Sequence, residues 1–114
     1  MRIEINHKEV APGVVAIAIA GRVTMGPSSE PIPRLVDDLL RQGTRTVVFD
    51  LAGVTGIDST GIGRFISSYN KIMAAGCEMR MAGAAGHVFE AFHISLLDTV
   101  FSFHESVDAA LNKL

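Results

Sequence analysis

At 114 residues, with 48% hydrophobic and 19% charged side chains, the chain has the make-up of one globular domain and not of a disordered segment. Its net charge of −2 supplies no general field for attracting nucleic acid or an anionic membrane. The single Cys77 excludes an internal disulfide and fits a reducing compartment, and no run approaches the ~18–20 continuous apolar residues of a membrane span.

The opening Met1-Arg2-Ile3-Glu4-Ile5-Asn6 carries an acidic residue where a signal peptide would run apolar, so a cytoplasmic protein is expected. Ile3, Ile5 and, less regularly, Val10 predict a first strand. Pro12-Gly13 marks a turn, and residues 14–20 predict a second strand, apolar enough for burial on both faces. The two are expected to pair as a hairpin. Residues 21–30 read as a connection, and Pro31 and Pro33 fit only the first turn of a following helix. In that helix Ile32, Leu35, Val36, Leu39 and Leu40 keep helical spacing, and Gly43 is a stop.

Thr46-Val47-Val48-Phe49-Asp50-Leu51 predicts a third strand. A second helix is expected from about Ser59 to Ala74-Ala75-Gly76, with Ile62, Phe65, Ile66, Tyr69 and Met73 on its apolar face. Beyond Gly76, Cys77, Met79 and Met81 alternate with Glu78 and Arg80, a strand with one apolar face in which Cys77 reads as a small core residue. A short helix around residues 87–92, a brief strand near 100–103 and a helix through Val107, Leu111 and Leu114 complete the chain. The order is ββαβαβα(β)α: a single α/β domain over residues 1–114, with a mixed sheet of about four to five strands packed against about four helices. Phe89, Phe92, Phe101, Phe103, Met79 and Met81 read as core, and the helix near 87–92 is a candidate partner surface.

The densest signal is Asp58-Ser59-Thr60-Gly61, after a strand and opening a helix. Two hydroxyl residues stand where a helix presents unpaired N–H groups and the positive end of its dipole, a place that suits an anion, including a phosphate on the chain's own serine. The alternative is that Asp58 caps the helix and Gly61 allows tight packing.

Enzyme frames fail around it. The G-x-x-x-x-G of Gly56 to Gly61 is followed by Ile62 and Gly63, so the P-loop lysine and hydroxyl are missing, and Gly61-x-Gly63 is followed by Ile66, which breaks the dinucleotide pattern. Ile57 stands where the hydrolase G-x-S-x-G needs its first glycine. His87, His93 and His104 are conceivable bases, but no residue set of metal-ligand spacing exists. The expectation is no catalytic residue, no metal and no cofactor.

Asp58-Ser59-Thr60-Gly61, preceded by Val54 and Ile57 and followed by Ile62-Gly63, resembles the signature of the STAS family, more narrowly of bacterial anti-sigma-factor antagonists. The likeness covers nearly the whole chain, including the leading hairpin, Gly21-Arg22-Val23, and Ile94-Ser95-Leu96-Leu97-Asp98-Thr99-Val100-Phe101 ahead of a final helix. It implies a STAS-like fold and a binding module that sequesters an anti-sigma factor doubling as an ATP-dependent serine kinase, is switched off by phosphorylation of Ser59, and is restored by a serine phosphatase. Asp58, Ser59, Thr60, Gly61 and Gly63 would form the partner-binding surface, the glycines letting a partner loop approach. Neither nucleic acid nor membrane is expected as a partner. Two departures stand out: Gly21-Arg22-Val23-Thr24 lacks an aspartate that many antagonists carry there, and Thr60 replaces a second serine. The alternative is a non-switching STAS scaffold or a small-ligand-binding subunit of a larger signalling complex.

Overall fold

The computed structural model describes residues 3–112; Met1, Arg2 and Leu114 of the expectations above lie outside them. The elements are β1 (Glu4–Ala11), β2 (Val14–Val23), α1 (Pro31–Arg41), β3 (Thr46–Ile57), α2 (Ser59–Ala74), β4 (Glu78–Ala82), α3 (Gly86–Ile94), a 3-10 turn (Leu97–Thr99), β5 (Ser102–His104) and α4 (Val107–Leu111). Five strands form one sheet in chain order; β1 and β2 are antiparallel and every later neighbour pair is parallel.

That order has a consequence for layering. Each parallel step advances in the same direction, and right-handed crossovers then place α1, α2 and α3 on one face of the sheet. The residues agree. Ile17, Phe49, Met81 and Phe103 share one cross-strand row, and they pack with Ile32, Val36 and Leu39 of α1, Phe65 and Ile72 of α2, and Val88 and Phe92 of α3. Phe49, Phe65 and Phe92 stand edge to face at 5.1 and 5.8 Å between ring centres, which joins the sheet to two helices through one aromatic chain.

The opposite face is covered differently. Among the described residues α4 alone of the helices packs there, with Ala110 against Val14, Val48 and Ala82. Arg80, expected on a polar strand face, is instead 6% exposed beneath this helix. Its Nε donates to Glu78 at 2.8 Å and its NH1 group to the carbonyl of Ala110. The buried guanidinium thereby fastens α4 to the sheet.

Three strands or faces depart from the sequence reading for visible reasons. β2 runs three residues further and β3 six residues further than expected. β3 gains an extra residue against β2 between the pairs Ala18–Asp50 and Ala20–Gly53, and this bulge carries the strand through Ala52-Gly53, where the apolar pattern breaks. A β-carbon at Gly53 would come within 3.0 Å of Ala20 Cβ, so the close approach at the bulge suits glycine. On α2, Phe65, Ser68 and Ile72 are buried while Ile66 and Met73 are 38% and 50% exposed, so the core stripe is rotated from the one expected. Cys77 precedes β4 and is only partly buried.

Arg80→Ala should destabilise the domain by about 1–3 kcal/mol, the cost of leaving a buried carbonyl without its donor. Denaturant titration checks this: the midpoint falls, and an unchanged midpoint would show that α4 is held by apolar contacts alone.

Candidate functional site

Residues 58–63 join the end of the central strand β3 to the start of α2, beside the C-terminal end of its neighbour β2. Asp58 is extended, with φ −117° and ψ −175°, and caps the helix: its Oδ1 accepts from the Gly61 amide at 2.8 Å. The other oxygen, Oδ2, accepts from the Met25 amide at 2.9 Å, 33 residues away in sequence. Its own amide donates to the Val23 carbonyl at 3.3 Å. One aspartate thus ties the helix start to the end of β2 and to the loop 24–30. The amides of Gly61 and then Met25 hold its carboxyl below the usual carboxylate range.

Gly61 is buried, and its reason is contact with the neighbouring strand. A β-carbon there would overlap the Val23 carbonyl oxygen and lie 2.8 Å from the carbonyl carbon. This is the tight packing at Gly61 that the alternative reading of the motif expected, and not the open surface that the resemblance implied for both glycines. Gly63 alone is exposed, with open space where a side chain would stand.

Ser59 is exposed at the first helical position and Thr60 is partly buried. Among the described residues no hydrogen bond engages the Ser59 hydroxyl. Three of the four histidines are occupied elsewhere: His87 Nε2 lies 2.9 Å from the Thr55 carbonyl, His93 Nδ1 2.7 Å from Asp98, and His104 Nε2 2.7 Å from the Ser102 hydroxyl. None of these histidine hydrogen bonds reaches the Ser59 hydroxyl. From it runs a line of exposed positions, Ser59, Gly63, Ile66, Asn70 and Met73, spaced as one stripe of α2.

Three participants escaped the sequence reading. Arg64 of α2 reaches back to the loop, its Nε donating to Ser29 Oγ at 3.1 Å and its NH2 group to the Gly26 carbonyl at 3.3 Å. Ser29 is fully buried and donates to the Thr24 carbonyl at 2.8 Å. Met25, held by Asp58, keeps its side chain 75% exposed. These pairs lie 33–38 residues apart, beyond the reach of any local pattern. Arg22 is exposed and lies over Gly56. Cavities of about 370, 350 and 240 Å³ are lined by residues such as Phe89 and His104, Leu39 and Thr44, and Ala18 and Asp50, and by none of the motif residues. Among the described residues no cluster of His, Cys, Asp or Glu could hold a metal, and no helix is long and apolar enough to cross a membrane.

The STAS domain model matches residues 7–110 of the chain. No curated protein matches the sequence. An anti-sigma factor antagonist from Mycobacterium paratuberculosis superposes with a TM-score of 0.81 at 19% identity, over 97% of this chain and 92% of that one. The Bacillus cell fate determinant SpoIIAA, in its phosphorylated form, gives 0.74 at 16% identity over 96% and 98%. A sulfate transporter family protein from Wolinella succinogenes gives 0.75 at 16% identity over 93% and 88%. At these identities the likeness establishes a shared fold.

Gly61→Ala should cost more than about 4 kcal/mol or abolish folding, because backbone must move to admit the methyl, whereas Gly63→Ala should be neutral or stabilise by up to about 1 kcal/mol from helix propensity. Thermal melts of the two variants test the contrast, and equal losses would remove the packing argument. For Asp58 the folded pKa lies below the unfolded one, so its carboxylate contributes stability above the unfolded value of about 3.9. That contribution is lost as pH falls through the folded pKa. Wild type should therefore exceed Asp58→Ala by a steady margin at neutral pH that shrinks on acidification, read from denaturation midpoints across pH; a margin that grows in acid would contradict the assignment.

Proposed function

The chain belongs to the STAS domain family, and on that premise we propose that it is an anti-sigma-factor antagonist switched by phosphorylation of Ser59. The observation that carries this reading is the Ser59 hydroxyl: exposed, unengaged, and placed at the start of α2 on a turn already fixed by Asp58 and Gly61. In the unmodified form this surface docks on an anti-sigma factor that is also a serine kinase. There the Ser59 oxygen attacks the γ-phosphorus of the kinase's ATP, ADP leaves, and the hydroxyl proton passes to a base on the kinase. A serine phosphatase hydrolyses the ester and restores the binding form. Cytoplasmic operation follows from this role.

Modification adds about −1.5 to −2 charges at neutral pH to the docking surface. The Asp58 carboxylate, ionised at neutral pH like any ordinary aspartate, stands next in the chain, so negative charge accumulates at one point of contact. The N-terminal end of α2 tolerates that charge locally. The switch is therefore a charge and steric block on a rigid surface, with the fold unchanged. One observation favours the alternative of a non-switching scaffold: Arg22, in a stretch where many antagonists carry an acid, is exposed beside the end of β3.

Incubation with ATP and the serine kinase encoded nearest to its gene should place phosphate on Ser59, located by peptide mass spectrometry. Phosphate on Thr60 alone, or undiminished in Ser59→Ala, would overturn the assignment. Ser59→Glu should weaken kinase binding at least tenfold, about 1.4 kcal/mol by calorimetric titration, with little change in melting temperature. Unchanged affinity would favour the scaffold. Purified protein should hydrolyse neither esters nor nucleoside triphosphates; turnover lost in Ser59→Ala would make it an enzyme instead.

A further inference from the structure

The loop 24–30 enters no part of the motif, yet the start of α2 devotes two side chains to holding it. Asp58 Oδ2 takes the Met25 amide at 2.9 Å. Arg64, one turn beyond the motif, spans Ser29 Oγ at 3.1 Å and the Gly26 carbonyl at 3.3 Å. Ser29 is fully buried, and its hydroxyl both accepts from Arg64 and donates to the Thr24 carbonyl at 2.8 Å. Gly26, at φ +118°, takes a backbone conformation that would strain any other residue. The loop is thereby fixed from both ends and from its middle.

What this lattice displays is Met25. Its backbone is locked to Asp58, the residue preceding Ser59, while its side chain is 75% exposed, the largest exposure among the large apolar side chains described. Fixing a backbone so firmly under an apolar side chain left in water has a rationale when a second protein covers that side chain. A methionine thioether is flexible and polarizable, and it fills an irregular apolar recess at low cost. Pre-ordering the loop removes the entropy that docking would otherwise spend on it.

We propose that Met25 is an apolar anchor of the same docking surface as Ser59, received by an apolar recess on the anti-sigma factor, and that Arg64 is the positioning residue that presets its loop. This rests on the antagonist reading above. Arg64 touches no partner in this account; it acts through Ser29 and Gly26. Its guanidinium suits the task because a planar fork can reach two acceptors at once, which an ammonium on a flexible stem does less well.

The test compares four variants by calorimetric titration with the same neighbouring kinase, alongside amide hydrogen exchange of the free chain. Met25→Asp changes an exposed side chain and should weaken binding at least tenfold with an unchanged melting temperature. Arg64→Ala should weaken binding to a comparable degree and accelerate exchange of the Met25 amide relative to amides of β3 and β4. Arg64→Lys should give an intermediate value of both. Ser59→Glu serves as the control for the antagonist reading. If Ser59→Glu abolishes binding while Met25→Asp does not, the anchor is wrong and the reading stands. If neither changes binding, the reading itself fails. Should Arg64→Ala unfold, Arg64→Lys decides: wild-type Met25 exchange and wild-type affinity in that variant would end the positioning role.

Discussion

The structure depends on the near-contact between the end of one strand and the start of one helix. Gly61 packs so closely on the Val23 carbonyl that no side chain can stand between them. This approach brings β2 and α2 together at one point, and everything chemically distinctive gathers around it. Asp58 bonds across it in two directions, its amide to Val23 and its carboxylate to Met25. Were the helix start displaced by the width of a methyl group, the cap would survive, but the link to the loop would not.

The proposed switch by added charge needs a surface that stays where it is when the charge arrives. The turn at Asp58 meets that need because its stability derives from buried contacts and backbone amides on the inner side, while Ser59 and Gly63 face outward. The helix cap seen at Asp58 and the phosphoacceptor proposed at Ser59 thus fall on neighbouring residues. The cap fixes the backbone, and the hydroxyl beside it is left unengaged. Supporting groups hidden behind an exposed reactive group are a general means of holding a site to its geometry.

The sheet distributes its demands unevenly. Because strand order never reverses, three helices crowd one face and form a continuous aromatic core through Phe49, Phe65 and Phe92. The other face is served by a five-residue helix too short to hold itself in water, and the buried Arg80 supplies its anchor through the Ala110 carbonyl. The site lies at the start of α2, a helix of the well-covered face, opposite the face that α4 covers.

The sequence by itself determined the element order, the hairpin, the helix start at Ser59 and the family, because these rest on periodicities of two and 3.6, on proline and glycine punctuation, and on a local tetrapeptide. The family resemblance carried by that tetrapeptide is what singles out Ser59 as the candidate acceptor. The sequence misplaced the outer limits of β2 and β3, since a bulge is defined by the partner strand, and it assigned Ile66 and Met73 to the core because a helix with apolar residues on two sides does not reveal which side meets the sheet. Only the tertiary structure decided that Gly61 is a packing residue, that Arg80 is buried, and that Arg64, Ser29 and Met25 belong with Asp58. Those facts arise from contacts between residues some thirty or more positions apart, and distance in sequence carries no record of which amide will come to lie beside which carboxylate.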